Sequence, residues 1–122
     1  MAVVTLVLAG GPGFPEGSPE RRYEITVALT PGGHLDPQAW FADPDPWPAR
    51  RSWPGSPSRD GDVQYDADTE SWSVRLSPDP GDSADTPLHA QIRNAAQLRP
   101  GEYVTIREPD GVEYSYRVVA VG

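Results

Sequence analysis

The chain has 122 residues, a formal net charge of −8 and no cysteine. This length suits one domain with a modest core, and the lack of thiols excludes disulfides, thiolate metal sites and cysteine nucleophiles. The negative charge disfavours nucleic acid as a partner, because phosphate backbones would repel it. The sequence shows neither an apolar run long enough to span a membrane nor a signal peptide, so we expect a cytoplasmic protein.

Glycine and proline are abundant, with 12 and 15 residues respectively. Apolar runs separate the proline clusters, and this pattern indicates a folded, loop-rich β domain rather than a disordered chain. All ten basic residues are arginine. We interpret the lack of lysine as bacterial-like composition from a GC-rich genome, not as a selected arginine function.

The N-terminal part predicts two strands. Residues 2–8 are apolar at both alternating positions, which is typical of a strand covered on both faces. In a small domain such a strand lies inside a sheet or at a homodimer seam, so we expect a monomer or a homodimer through this strand. Residues 22–30 alternate apolar and polar side chains and predict a half-buried strand antiparallel to the first.

The middle of the chain predicts a short helix and a long loop. Asp36 suits the N-cap and Pro37 the first position of a helix over residues 37–42. Residues 43–60 hold five prolines and are predicted to be irregular. After this loop, residues 62–65 and 70–77 predict a hairpin, in which Trp72, Val74 and Leu76 face inward with Val63 and Tyr65 opposite them.

The C-terminal part predicts a second hairpin around the turn at residues 108–111. Asp110 and Gly111 suit that turn, and a bulge at Gly111 would place Ile106 opposite Tyr114 and Val104 opposite Tyr116. The strand's end, at Val119 and Val121, is expected to be covered on both faces. Residues 86–97 fit period 2 and a helical face alike, and their alanine, glutamine and leucine content favours a helix.

These elements predict a mainly β fold. We expect residues 1–122 to form a single domain, a small antiparallel barrel or rolled sheet of about six strands with one or two short helices. The Pro/Trp/Arg loop at 43–60 would fold back over the barrel's mouth.

That loop supplies the candidate site. Its two tryptophans can each bury roughly 200 Å² of surface, so they are seldom fully exposed to solvent. Its arginines would surround the aromatic patch. Guanidinium groups bind carboxylates and phosphates bidentately. The candidate ligand-binding residues are Trp40, Trp47, Arg50, Arg51, Trp53 and Arg59. The alternative is that the tryptophans only plug the barrel and the arginines pair with Asp43, Asp45 and Asp60.

Two other groups of residues are weaker candidates for a metal or catalytic site. The acidic series at residues 60–70 fails the EF-hand spacing in both frames, so we predict no metal site and no cofactor. His34, Asp36 and His89 would serve a small hydrolase-type enzyme only if the fold gathered them in one cleft.

Three functions therefore remain open from the sequence. The first is a non-catalytic module that uses the Trp/Arg loop to bind a protein or a small anionic ligand. The second is the hydrolase-type enzyme. The third is an acidic antidote or assembly protein, whose negative charge would steer it to a basic partner.

Overall fold

The computed structural model describes residues 1–78, 88–93 and 97–122 and shows a closed antiparallel barrel of eight strands. Each strand pairs with the next one along the chain, and the last strand returns to pair with the first. The elements are β1 (Ala2–Gly10), β2 (Ser18–Val27), α1 (Pro37–Ala42), β3 (Trp47–Ser52), β4 (Arg59–Asp66), β5 (Ser71–Leu76), β6 (Leu88–Ile92), β7 (Tyr103–Arg107) and β8 (Glu113–Val121). The predicted mainly β barrel is confirmed, with eight strands instead of about six.

The barrel has two chemically different ends. We call one end the mouth; the turns at residues 11–17, 53–58 and 108–112 lie there. The opposite end is the helix end, where α1 and the turn at residues 67–70 lie. Within the described residues, no helix has the length and apolarity needed to cross a membrane.

The first strand is an interior strand because β2 pairs with one of its edges and β8 with the other. Its inward side chains Val4, Leu6 and Leu8 are buried. The prediction of cover on both faces is wrong for Val3, which points outward and is 42% exposed. Closure of the barrel, rather than a second layer, protects this strand, since a closed sheet has no free edge.

The C-terminal hairpin has the predicted register. Ile106 lies opposite Tyr114 and Val104 opposite Tyr116, and Gly111 takes a φ of 90° in the turn. The expected cover at the end of β8 is wrong for Val119, which is 39% exposed. The pairing with β1 shifts register at this point and leaves Val119 without a partner residue.

Two segments form strands that the sequence did not predict. A helix was predicted at residues 86–97, but residues 88–92 form strand β6. Residues 86–87 and 94–96 of that prediction lie outside the described residues. Ala90 and Ile92 of β6 fill the barrel, so pairing with β5 and β7 outweighs helix propensity.

The segment at 43–60 is not irregular throughout, because it contains β3 and the start of β4. Pro48 lies beyond the last residue pair of β3 with β2, Ile25 with Ala49, and opposite Asp62 of β4. Its missing N–H therefore removes no hydrogen bond from the β2–β3 ladder. The strand places Trp47, Ala49 and Arg51 on the inner face and turns Arg50 outward.

Candidate ligand-binding site

The buried carboxylate of Glu108 organises the mouth of the barrel. Glu108 is 3% exposed, and among the described residues it is the one charged residue that is buried. It accepts hydrogen bonds from the hydroxyl of Tyr23 at 2.7 Å and from that of Tyr116 at 2.5 Å. Arg51 Nε donates a third at 3.2 Å and supplies the opposite charge. The carboxylate is therefore paired and hydrogen-bonded, as a buried charge must be.

Strand alternation explains why these four side chains meet. Glu108 follows Val104 and Ile106 at the same parity, so it continues the inward face of β7. Arg51 likewise follows Trp47 and Ala49 on the inward face of β3. From the sequence alone, Glu108 is predicted only as a turn residue, and its role at this site is not predicted. The alternation of inward and outward residues along β7 already indicated an inward Glu108. The Pro-Asp-Gly sequence that follows it favoured a turn position instead.

Burial changes the acid–base behaviour of the two tyrosines. Desolvation, followed by the nearby charge of Glu108 and the hydrogen bond to it, raises the pKa of Tyr23 well above the usual 10.0. Desolvation and then the charge of Glu108 also raise the pKa of Tyr116. Both hydroxyls therefore stay protonated and act as hydrogen-bond donors to the carboxylate over the whole physiological range.

These raised pKa values predict a loss of stability at alkaline pH. Below pH 10 both tyrosines are protonated in the folded and the unfolded chain. Above pH 10 the unfolded chain releases protons that the folded chain keeps, so the free energy of unfolding falls by about 1.4 kcal/mol per pH unit for each tyrosine. Urea denaturation at pH 9 and pH 11 measures this fall.

The Tyr116→Phe variant should lose about half of this pH dependence, because one of the two titrating groups is gone. Tyr103→Phe is the matched control, since Tyr103 is 58% exposed on the outer face of β7. An equal alkaline slope in the Tyr116→Phe variant and the unmodified protein would contradict the assignment.

Arginines and aromatic rings alternate above the carboxylate. The guanidinium carbon of Arg51 lies 4.1 Å from the centre of the Trp53 ring. Arg21 lies 4.1 Å from the ring of Phe14 and 5.2 Å from that of Trp53. Tyr114 packs edge-on against Trp53 at 5.6 Å between ring centres. The rings of Phe14 and Trp53 therefore each contact a guanidinium group, and cation–π attraction holds Arg21 and Arg51 in place.

A cavity of about 150 Å³ opens beside this stack. Its wall combines charged and apolar side chains. Its lining residues are Arg51, Trp53, Arg59, Leu76, Leu88, Glu108, Pro109 and Asp110. Such a wall can hold a small molecule with one polar and one apolar side.

The six residues predicted as one site are divided by the barrel. Arg51, Trp53 and Arg59 line the mouth cavity. Trp40 and Trp47 lie at the helix end, where the indole of Trp40 donates to Val63 O at 2.9 Å and Trp47 is buried. The remaining residue, Arg50, lies on the outer wall and pairs with Asp60 at 2.8 Å.

The residues of the alternative enzyme site do not form a cluster. His34 lies in the loop between β2 and α1, and Asp36 caps α1 by accepting from the backbone N–H groups of Gln38 and Ala39. His89 is on the outer face of β6, opposite Arg75. Within residues 1–78, 88–93 and 97–122, no group of three histidine or acidic side chains could hold a metal ion.

Neither a protein-family model, nor a curated protein, nor a solved structure matches this chain.

Proposed function

We propose that this protein is a non-catalytic binding module that holds a small, partly apolar anion in the mouth of its barrel. The observation that carries the proposal is the composition of the cavity wall. Arg51 and Arg59 provide positive charge, and Trp53, Leu76 and Leu88 provide apolar contact. The carboxylates of Glu108 and Asp110 also line the cavity, and that of Glu108 is already paired with Arg51. A molecule with a carboxylate on one side and a hydrocarbon surface on the other complements such a wall.

The size of the cavity limits the size of the ligand. Drug-sized ligands need about 300 Å³ or more, whereas a cavity of about 150 Å³ holds a molecule near the size of benzene. This comparison favours a small aromatic or branched aliphatic carboxylate over a peptide or a nucleotide. Of the two partners expected from the sequence, a protein or a small anionic ligand, the cavity volume therefore favours the small anionic ligand.

The hydrogen-bond inventory at the mouth also favours an anion. Arg21 Nε and Trp53 Nε1 are buried and lack a hydrogen-bond partner among the described residues. Buried donors are normally paired, and an unmade bond costs about 1–3 kcal/mol. Of these two residues Trp53 lines the cavity, so a ligand that brings an acceptor oxygen to its indole N–H would compensate for that donor.

A titration with benzoate, followed through the indole N–H signal of Trp53 by NMR, tests the proposal. We expect a saturable shift of that signal, and a weaker response to inorganic phosphate, which cannot use the apolar wall. In the Arg59→Gln variant the dissociation constant for benzoate should rise about tenfold, equivalent to one charge-assisted hydrogen bond.

The matched control is Arg50→Gln, because Arg50 carries the same charge but lies on the outer wall with Asp60. It should bind benzoate like the unmodified protein. The proposal fails if neither probe shifts the Trp53 signal. It also fails if Arg50→Gln weakens benzoate binding as much as Arg59→Gln does.

A further inference from the structure

The helix end carries a second surface, distinct from the mouth. A continuous row of aromatic rings runs there from the core to the solvent. Trp47 stacks on Trp72 at 5.9 Å between ring centres, Trp72 contacts Tyr65 at 4.6 Å, and Tyr65 contacts Phe41 at 5.7 Å. The row ends at Phe41, which is 61% exposed.

The turn between β4 and β5 adds negative charge beside these rings. Tyr65 pairs with Trp72 as the strands approach the turn, so Asp66, the last residue of β4, and the turn at residues 67–70 lie directly beyond the two rings. The carboxylates of this segment, on Asp66, Asp68 and Glu70, are all exposed. Asp66 accepts a hydrogen bond from the N–H of Asp68. Within the described part of the chain, none of the three is in an ion pair.

The nearby arginines do not neutralise this turn. Arg75 on the outer wall binds Asp62 through two nitrogens, at 3.1 and 2.8 Å. Arg93 lies 3.7 Å from Glu113 of β8. The carboxylates of residues 66–70 therefore face solvent with their charge uncompensated, next to the half-buried rings of Tyr65 and Trp72 and the exposed ring of Phe41.

We propose that this aromatic–acidic surface, formed by Trp40, Phe41, Tyr65, Trp72 and residues 66–70, docks an arginine- or lysine-bearing segment of a partner protein. An aromatic face attracts a guanidinium or ammonium group, and flanking carboxylates pair with the same cation. The net charge of −8 steers basic partners toward the protein and repels acidic ones. The mouth, where arginines face the ligand cavity, has the opposite preference.

The test uses an acetylated peptide of alternating glycine and arginine, and a matched peptide with glutamate in place of arginine. Calorimetry should detect binding of the arginine peptide alone, weakening as salt is added. Phe41→Ala and the double variant Asp68→Asn/Glu70→Gln should each weaken binding by about fivefold or more, through loss of the ring and of the charges respectively.

The double variant Glu16→Gln/Glu20→Gln is the control, because it removes two exposed carboxylates in the β1–β2 segment at the mouth instead. It should bind the arginine peptide almost as well as the unmodified protein. Equal weakening in both double variants, or full binding by Phe41→Ala, would show non-specific attraction and overturn the proposal. Self-association of the protein without peptide binding would assign the surface to a second copy and overturn it as well.

Discussion

Replacing Glu108 by alanine should destabilise the barrel by about 3–5 kcal/mol, the usual cost of removing one partner of a buried ion pair. The substitution leaves Arg51 without its counter-charge, since the side chain of Arg51 is only 13% exposed. It also leaves the hydroxyls of Tyr23 and Tyr116 without the acceptor that they share. Chemical denaturation monitored by circular dichroism measures the loss.

Glu113→Ala is the matched control on the same hairpin. Glu113 meets Arg93 at 3.7 Å, and both side chains are about half exposed, so its removal should cost less than about 1 kcal/mol. The double variant Glu108→Leu/Arg51→Met should recover only part of the stability, because it removes the unpaired charge of Arg51 but still leaves the hydroxyls of Tyr23 and Tyr116 without their acceptor. Similar costs for Glu108→Ala and Glu113→Ala would show that Glu108 is solvated.

Replacing Trp47 by alanine should cost about 3–5 kcal/mol, as for other large aromatic deletions in cores. Trp47 is 1% exposed and among the largest fully buried side chains. It stacks on Trp72 and donates its indole N–H to the carboxylate of Asp43 at 3.0 Å. The cavity left behind would lie between β3 and β5, where surrounding strands cannot collapse freely.

Phe41→Ala provides the contrast at the same end of the barrel. Phe41 is exposed on α1, so its removal should change the free energy of unfolding by less than about 1 kcal/mol. Urea denaturation of both variants separates the two cases. If Trp47→Ala cost no more than Phe41→Ala, residues 43–60 would be an irregular loop, as the sequence alone indicated.

The hairpins show which parts of the fold could be predicted. In both, the partner residues are close in the chain, and the turn residues set the register. The pairing of Ile106 with Tyr114 was therefore predicted and is confirmed. For β4 and β5 the hairpin was predicted without a register, and the structure pairs Val63 with Val74 and Tyr65 with Trp72. The cap of α1 by Asp36 is equally local and is confirmed too.

The mouth site depends on distant residues. Glu108 and Tyr23 are 85 residues apart in the chain, and Glu108 and Arg51 are 57 apart. Turn chemistry placed Glu108 at a hairpin tip, and only closure of the barrel turned it into a buried acceptor. The two adjacent arginines also could not be distinguished from the sequence. Arg50 and Arg51 have the same chemistry but lie on opposite faces of β3.

By itself, the sequence determined the β class, the presence of two hairpins, the register of the C-terminal one and the start of α1, because alternation, turn residues and caps act over a few positions. Only the tertiary structure decided that residues 47–52 and 88–92 are strands, because their partners in β2, β4, β5 and β7 supply the hydrogen bonds and the buried surface. It alone also divided the tryptophans and arginines between the two ends, since the direction of each side chain follows from the strand that carries it.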